Sequence, residues 1–412
     1  MCRSWAGSPM LKGQTSGTRL SAAAFLFVMT LGYAVYAADR TVLSSVLAPM
    51  SASLGLSNLE IGLLGSAQYI GVLAVVGAAG SFSDAYGRRR MVLFGLITFS
   101  LFTWLIAFAT SFYAAFLFRL ASGLGEGIFW PVAMASVADY FRDRKGLALG
   151  VFYVGFDAGS VAGLSIGGVA YYLTSAWQNA FLVAPVVGLA AVGGVYLLKS
   201  PFVCAGPLPR GISTGEAARA LLRAPGMQLL MLFALLATWA SVWQVVFLPF
   251  YFFKVMNFSV LSAALLSSLV SVSGGIGKVL LGGVSDRWSR NRVLVGLSAA
   301  VAASYGIFFF STDFYISLAS AMLMGFLSSA VFPVMQALVA DRSGSYAGTG
   351  LGLTTTFQSV ATVFSPAIAG YLLVLGVGKA LALDAMVPAV LMTLAALFLK
   401  PAGKSAQASQ PL

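Results

Sequence analysis

The sequence contains no histidine among its 412 residues and only two cysteines, Cys2 and Cys204. The absence of histidine excludes imidazole acid–base catalysis and zinc sites with histidine ligands. Charged residues are scarce as well: they make up 9% of the chain, against about a quarter in soluble domains. The chain also contains no G-x-x-x-x-G-K-[ST] segment for ATP binding. These absences argue against an enzyme and against a soluble protein.

Hydrophobic residues are abundant instead, at 59% of the chain. They form twelve apolar runs, each long enough to cross a bilayer core of ~30 Å with roughly 20 residues. The runs are too long and too uniformly apolar for barrel strands of ~10 residues. The sequence therefore predicts an all-α membrane protein with twelve transmembrane helices, the first of which we expect to be retained rather than removed as a signal peptide.

The formal charge of +12 follows membrane topology and does not indicate nucleic-acid binding. If both termini are cytoplasmic, 19 of the 24 basic residues fall on the inner side, and only Lys254 and Lys379 fall in outer loops. This asymmetry is the positive-inside pattern. It predicts a multi-pass protein of the plasma (inner) membrane, and it puts both cysteines in a reducing compartment, where we expect no disulfide.

The chain repeats itself at an offset of 202 residues. The segment GSFSDAYGRRR (80–90) aligns with GGVSDRWSRNR (282–292). We therefore predict two six-helix bundles on one plan, an N-terminal bundle at 1–199 and a C-terminal bundle at 226–412. The polar stretch at 200–225 is the expected cytoplasmic linker, and its last residues can form a short surface helix.

Six charged residues fall inside predicted spans, where a charge costs roughly 2.5 to 3.5 kcal/mol on insertion scales. Their charges sum to zero, which favours pairing, although neutrality does not say which residues pair. These six residues are Asp39, Arg40, Arg119, Glu126, Asp157 and Lys278.

Helix geometry predicts that four of these charges meet. Arg119 and Glu126 are seven residues apart in the fourth span and share a helix face, and Asp39 and Arg40 of the first span are expected at a similar depth. Glu126 is the better candidate for proton coupling, because it lies deeper and could take a proton once an anion draws the arginines away. The alternative is a static ion-pair network that braces the two helices.

The loop motif G-x-x-x-D-x-x-G-R-[RK] after the second span, repeated after the eighth, resembles the signature of the major facilitator superfamily. The resemblance implies two pseudo-symmetric bundles around a midplane site and alternating access. The expected gating residues are Asp84, Arg88, Arg89 and Arg90, with Asp286, Arg290 and Arg292 in the second copy. The alternative is that the arginines only set topology. The second copy has Ser289 in place of the loop glycine, so we expect weaker gating contacts in that copy.

Two further motifs resemble two branches of that superfamily, the anion:cation symporters and the spinster-like transporters of lysolipids. They are Y-x-x-D-R-x-x-L-S in the first span and R-x-x-x-G-x-G-E-x-x-x-x-P in the fourth. The resemblance implies that Asp39 and Glu126 titrate protons and that Arg40 and Arg119 face the substrate. The motifs leave both branches open.

At the 202-residue offset, neutral residues stand opposite the four charges, so we expect the charged part of the site in one half only. Uncharged contacts to substrate are expected from aromatic and amide side chains, although ordinary helix packing is the alternative for each. These candidates are Tyr36, Tyr69, Trp243, Gln244, Gln336 and Gln358.

Asp157 and Lys278 belong to none of these motifs. We predict that they pair across the two halves as a gating contact, unless Lys278 extends to the membrane surface instead.

The function predicted from the sequence is secondary transport of a small organic anion, such as a sugar acid or carboxylate, coupled to protons or else to sodium. One alternative is an exporter of lysolipids, other amphiphiles or drugs. Another is a receptor or scaffold without transport, for which a large appended domain is expected. We predict no enzymatic activity, no cofactor and no metal.

Overall fold

The computed structural model describes residues 16–141, 144–197 and 214–399. Within these residues the secondary structure is helical. The fourteen α-helices of this part of the chain are α1 (Ser16–Ser53), α2 (Asn58–Val76), α3 (Ala79–Tyr86), α4 (Arg88–Ile106), α5 (Phe112–Tyr140), α6 (Lys145–Thr174), α7 (Ala180–Leu197), α8 (Thr214–Arg223), α9 (Met227–Lys254), α10 (Val260–Arg287), α11 (Arg290–Phe310), α12 (Phe314–Ser343), α13 (Ala347–Leu372) and α14 (Val377–Phe398).

Twelve of the described helices are long and apolar enough to cross a membrane. Only the short helices α3 and α8 are not membrane-spanning candidates. The predicted fold class is confirmed. Helix α8 covers most of the end of the predicted linker, whereas Cys2 and residues 200–213, which include Cys204, lie outside the described residues.

The chain separates into two compact units. One unit contains α1, α2 from Ala67 onward, α3 to α7, and the first residues of α10 (Val260–Ala264). The other contains the start of α2 up to Ser66, α8, α9, α10 from Leu265 onward, and α11 to α14. We call them the N-terminal unit and the C-terminal unit.

Polar residues mark where the helices begin. At the start of α2, Ser57 and Glu60 form a capping box: the Glu60 carboxylate accepts from the Ser57 backbone N–H at 2.8 Å. Ser111 accepts from the Ala114 N–H at the start of α5, and Asp313, 202 residues later, accepts from the Ile316 N–H at the start of α12. The repeat therefore extends to the helix caps.

A stripe of glycines lets α6 lie directly against α1 in the N-terminal unit. A methyl group at Gly159 would collide with the carbonyl oxygen of Ala34, and one at Gly155 would collide with that of Thr30. Small residues spaced four apart allow close helix packing in membranes, where association depends on van der Waals contact. This packing fixes α1, the helix that carries Asp39 and Arg40.

Candidate functional site

Two helices of the N-terminal unit bring four charged side chains together. Asp39 and Arg40 lie on α1, and Arg119 and Glu126 lie on one face of α5. The Arg40 Nε donates to Glu126 Oε2 at 3.0 Å, and Arg119 Nη1 lies 3.5 Å from Asp39 Oδ1. Each helix thus supplies one acid and one base to the other. We call these four residues the charge cluster.

Gln68 of α2 joins the two carboxylates of the charge cluster. Its Nε2 donates to Asp39 Oδ2 at 2.9 Å and to Glu126 Oε1 at 2.7 Å. The side chain is fully buried. The sequence analysis missed Gln68, although an amide in an otherwise apolar span is a signal, because a buried polar group needs partners.

Asp39 is held by more donors than Glu126 is. Besides Gln68, the hydroxyls of Thr103 and Ser122 donate to Asp39, each at 2.5 Å, and Arg119 Nη1 also donates to the Asp39 backbone oxygen at 3.0 Å. Among the described residues, Glu126 accepts from Arg40 and Gln68 only. Hydrogen bonds to both of its carboxylate oxygens therefore hold Asp39 in place. Glu126 has fewer hydrogen bonds to break when it changes partner.

Arg40 is the most accessible member of the charge cluster. Its side chain is 14% exposed, whereas that of Glu126 is 0% exposed. The guanidinium carbon lies 4.3 Å from the ring centre of Tyr36 and 5.0 Å from that of Tyr69. Both distances fall in the range of cation–π attraction. The two predicted tyrosines thus orient the side chain of Arg40, which is the most exposed of the charge cluster.

Close packing of α5 on its neighbours sets the depth of Glu126. A methyl group at Gly123 would collide with the backbone oxygen of Gln68 on α2, and one at Gly125 would come within 2.8 Å of the Gly95 oxygen on α4. The two glycines of the R-x-x-x-G-x-G-E motif therefore bring α2 and α4 against α5. This contact places Gln68 beside the carboxylates.

Two of the predicted substrate contacts, Trp243 and Gln244, lie on α9 of the C-terminal unit. Trp243 is fully buried, with its ring centre 5.9 Å from those of Tyr305 and Phe308. Gln244 donates to the Tyr305 hydroxyl at 2.6 Å and to Ser328 at 3.3 Å. A substrate contact by Trp243 stays a prediction, and in this arrangement its ring packs the helices.

The other two amides lie on different helices. Gln336 is exposed on α12, and Gln358 is half-buried on α13. Their role in binding stays a prediction.

One buried carboxylate of the C-terminal unit was missed by the sequence analysis. Asp384 of α14 is 3% exposed. The indole N–H of Trp239 donates to its Oδ1 at 2.8 Å, and the Ser365 hydroxyl donates to its Oδ2 at 3.1 Å. The C-terminal unit therefore also contains a buried carboxylate, while the confinement of the charged part of the substrate site to the N-terminal half stays a prediction. Asp384 belongs to no motif and was not counted among the charged residues inside the predicted spans, although it lies within α14.

Two ion pairs repeat at the ends of the helices. Arg88 at the start of α4 pairs with Asp139 of α5, and Arg290 at the start of α11 pairs with Asp341 of α12. Both residues of each pair are 202 positions from their counterparts. The side chains of Asp84 and Asp286, the acidic gating candidates of the two loops, lie outside the described residues. The structure gives Arg88 and Arg290 partners one helix further on.

The remaining gating candidates are dispersed. Arg89 donates to the Tyr196 backbone oxygen at 2.5 Å, while Arg90 and Arg292 are exposed. Asp157 on α6 and Lys278 on α10 are both half-buried. They belong to different units, so their pairing stays a prediction. Among the described residues, no three His, Cys, Asp or Glu side chains converge as metal ligands would.

Comparison with known proteins agrees with this architecture. The chain is 26% identical to the Gallate transporter of Pseudomonas putida over 396 residues, which cover 86% of this chain and 85% of that protein. A shorter match, 35% identical over 130 residues, covers 31% of this chain and 30% of the Probable 4-methylmuconolactone transporter of Cupriavidus pinatubonensis.

The fold is also that of a solved transporter. A crystal structure of a bacterial homolog to the human lysosomal transporter Spinster superposes with a TM-score of 0.77 at 18% sequence identity, covering 94% of this chain and 96% of that chain. The family model of the Major Facilitator Superfamily matches residues 29–315, well over half of the chain. The chain therefore belongs to the Major Facilitator Superfamily and is a membrane transporter, not an enzyme.

Proposed function

We propose that this transporter is a proton-coupled symporter that carries a small organic anion across the plasma (inner) membrane, with both termini cytoplasmic. The orientation rests on the basic residues, 19 of 24 of which fall on the cytoplasmic side in this topology. The substrate class rests on the charge cluster and on the similarity to a gallate transporter along most of the chain. Gallate is an aromatic carboxylate, and we use it as the probe below.

The observation that carries the proposal is the pairing of an accessible arginine with a buried glutamate. Arg40 can offer its guanidinium to an incoming carboxylate, for which its planar donors are well suited. Glu126, the partner of Arg40 in this structure, has no solvent-exposed side-chain surface. An anion can therefore reach the pair only by binding Arg40 and displacing Glu126.

The exchange conserves charge if Glu126 takes a proton. Before binding, Arg40 is balanced by the Glu126 carboxylate. After binding, Arg40 is balanced by the substrate carboxylate, and Glu126 must become neutral because an unpaired buried charge is costly. One proton accompanies each carboxylate. Asp39, with its larger set of donors, stays paired with Arg119 throughout this step.

The surroundings of Glu126 favour a proton over sodium as the coupling ion. Both of its oxygens face N–H donors, one from Gln68 and one from Arg40. A hard cation needs several oxygen ligands, which would require both donors to leave. A proton needs only one oxygen, which Arg40 vacates when it binds the anion.

Uptake by proteoliposomes tests the proposal. Under an inward pH gradient, we expect the wild-type protein to accumulate gallate and the Glu126→Gln variant to accumulate less of it while still exchanging labelled gallate. Glu60→Gln is the matched control, because a glutamine keeps the capping box at the exposed start of α2.

Three outcomes would each contradict a part of the proposal. Full gradient-driven accumulation by Glu126→Gln would remove the coupling role of Glu126. Accumulation driven by a sodium gradient alone would replace the proton. Binding of lysophospholipid without binding of gallate would favour an amphiphile exporter of the same fold.

A further inference from the structure

Asp384 is a buried carboxylate that the proposed mechanism does not use. It joins three helices of the C-terminal unit: its own α14, α9 through Trp239, and α13 through Ser365. Within the described part of the chain, no arginine or lysine forms an ion pair with it. The charge cluster neutralises both of its carboxylates with arginines, so Asp384 is in a different kind of environment.

The helices packed against α14 bring few charges near Asp384. Helix α13 contains no Asp, Glu, Lys or Arg, and the charged residues of the others lie at helix ends. Among the described residues, Tyr305 of α11 is a titratable group close enough to interact electrostatically with Asp384. Its hydroxyl is already bonded, donating to the Ala240 oxygen at 2.6 Å and accepting from Gln244. The charged and remaining titratable residues of α9, α11, α13 and α14 are Tyr251, Lys254, Arg290, Arg292, Tyr371 and Lys379.

The two partners of Asp384 suit a group that gains and loses a proton. The Trp239 indole can only donate, so it bonds to an unprotonated oxygen in both states. The Ser365 hydroxyl can donate to a carboxylate or accept from a carboxylic acid. The same heavy-atom positions therefore hold Asp384 with or without its proton. A metal ion would have to displace the Trp239 donor, which makes this site a poor fit for sodium.

The backbone around Asp384 is interrupted on two helices. Pro388 lies four residues after Asp384 and cannot donate the helical hydrogen bond to its carbonyl oxygen. Pro366 follows Ser365 inside α13. Prolines are the usual positions at which helices bend. The carboxyl contact between α13 and α14 thus lies where both helices are easiest to deform.

We propose that Asp384 is a second proton-binding site of this transporter, which binds and releases one proton in each transport cycle. Loss of the proton leaves a buried anion without a countercharge, and this favours an arrangement of α13 and α14 that gives the carboxylate new partners. The inference extends the proposed proton coupling to the C-terminal unit and assigns it a group separate from Glu126.

A spectroscopic test needs no substrate. Infrared difference spectra of the purified protein between acidic and alkaline pH are expected to show a protonated carboxyl band that is absent from Asp384→Asn and present in Glu126→Gln. The asparagine imitates the protonated acid, since its amide donates to Ser365 and its oxygen accepts from Trp239. Trp239→Phe is expected to shift the band without removing it. An identical set of carboxyl bands in wild type and Asp384→Asn would overturn the proposal.

The ratio of protons to gallate, measured from reversal potentials in proteoliposomes, gives the second readout. Asp384→Asn is expected to move one proton fewer per gallate than wild type, with Glu60→Gln unchanged. An unchanged ratio in Asp384→Asn would exclude a role in coupling even if the band is found. If Glu126→Gln stays fully coupled while Asp384→Asn loses a proton, the assignment of Glu126 fails and that of Asp384 stands.

Discussion

The two units share the framework at their helix ends and differ in the middle of their helices. The Arg88–Asp139 pair and the Arg290–Asp341 pair occupy equivalent positions of the 202-residue repeat, as do the helix caps Ser111 and Asp313. These contacts hold neighbouring helices in register. They are therefore repeated because both units need the same scaffold.

The charged and polar side chains in the middle of the helices are not repeated in this way. The N-terminal unit holds two carboxylates and two arginines joined by Gln68, whereas the C-terminal unit holds Asp384 between two neutral donors. In the repeat, Val242 occupies the position of Arg40. The unrepeated residues are those to which we assign each unit's own chemistry, and both assignments are proposals: recognition of an anion in the N-terminal unit and binding of a proton in the C-terminal unit.

The largest effect is expected when the accessible arginine is removed. Arg40→Ala deletes the group that we propose binds the anion, and a hydrogen bond to a charged group contributes about 1.5 to 3 kcal/mol. We expect gallate uptake to fall by about 10-fold to 100-fold, since 1.4 kcal/mol corresponds to about tenfold. Val242→Ala, at the equivalent position of the C-terminal unit, is the matched control and should keep most of the uptake.

If Arg40→Ala takes up gallate at a rate close to that of wild type, the assignment of anion recognition to the N-terminal unit is contradicted, because recognition would then not depend on the charge cluster. If Arg40→Ala shows low uptake but normal gallate binding, Arg40 would act in coupling and not in recognition of the anion. Binding measured by thermal shift separates these two cases.

The sequence predicted the fold and the four members of the charge cluster for physical reasons. Twelve long apolar runs admit only membrane helices, and two charges seven residues apart on one helix must share a face. It did not predict which acid pairs with which base, because neutrality allows either pairing. Gln68 was missed because amide side chains were not sought inside the spans of the N-terminal half, and Asp384 was missed because it was not counted among the charged residues of the predicted spans.

A smaller effect is expected from the repeated ion pairs, and it should differ between the units. The side chains of Arg88 and Asp139 are 8% and 28% exposed, whereas those of Arg290 and Asp341 are 26% and 54% exposed. Asp139→Asn should cost about 1.5 to 3 kcal/mol, as for bonds to charged groups. Asp341→Asn should cost at most about 1 kcal/mol, as for exposed pairs. Thermal unfolding in detergent provides the measurement, and equal losses would show that burial does not distinguish the two pairs.

The smallest effect is expected at the loop before each of these arginines. Gly87 has φ 88° and ψ 136°, a conformation that side chains other than glycine rarely adopt. Ser289, its counterpart, has φ −61° and ψ 116°, which any residue tolerates. Gly87→Ser should therefore destabilise the protein by about 1 to 2 kcal/mol. Ser289→Gly should cost only a few tenths, because the serine makes no capping bond there.

The variants Gly87→Ser and Ser289→Gly also test whether the conformation of each loop matters for transport or only for stability. If the loops only connect helices, the two variants should differ in unfolding temperature and transport gallate alike. If the glycine conformation also positions Arg88 for its contact with Asp139, Gly87→Ser should slow transport as much as Asp139→Asn does, and combining the two changes should add little. Fully additive losses in the double variant would show that the loop conformation and the ion pair act independently.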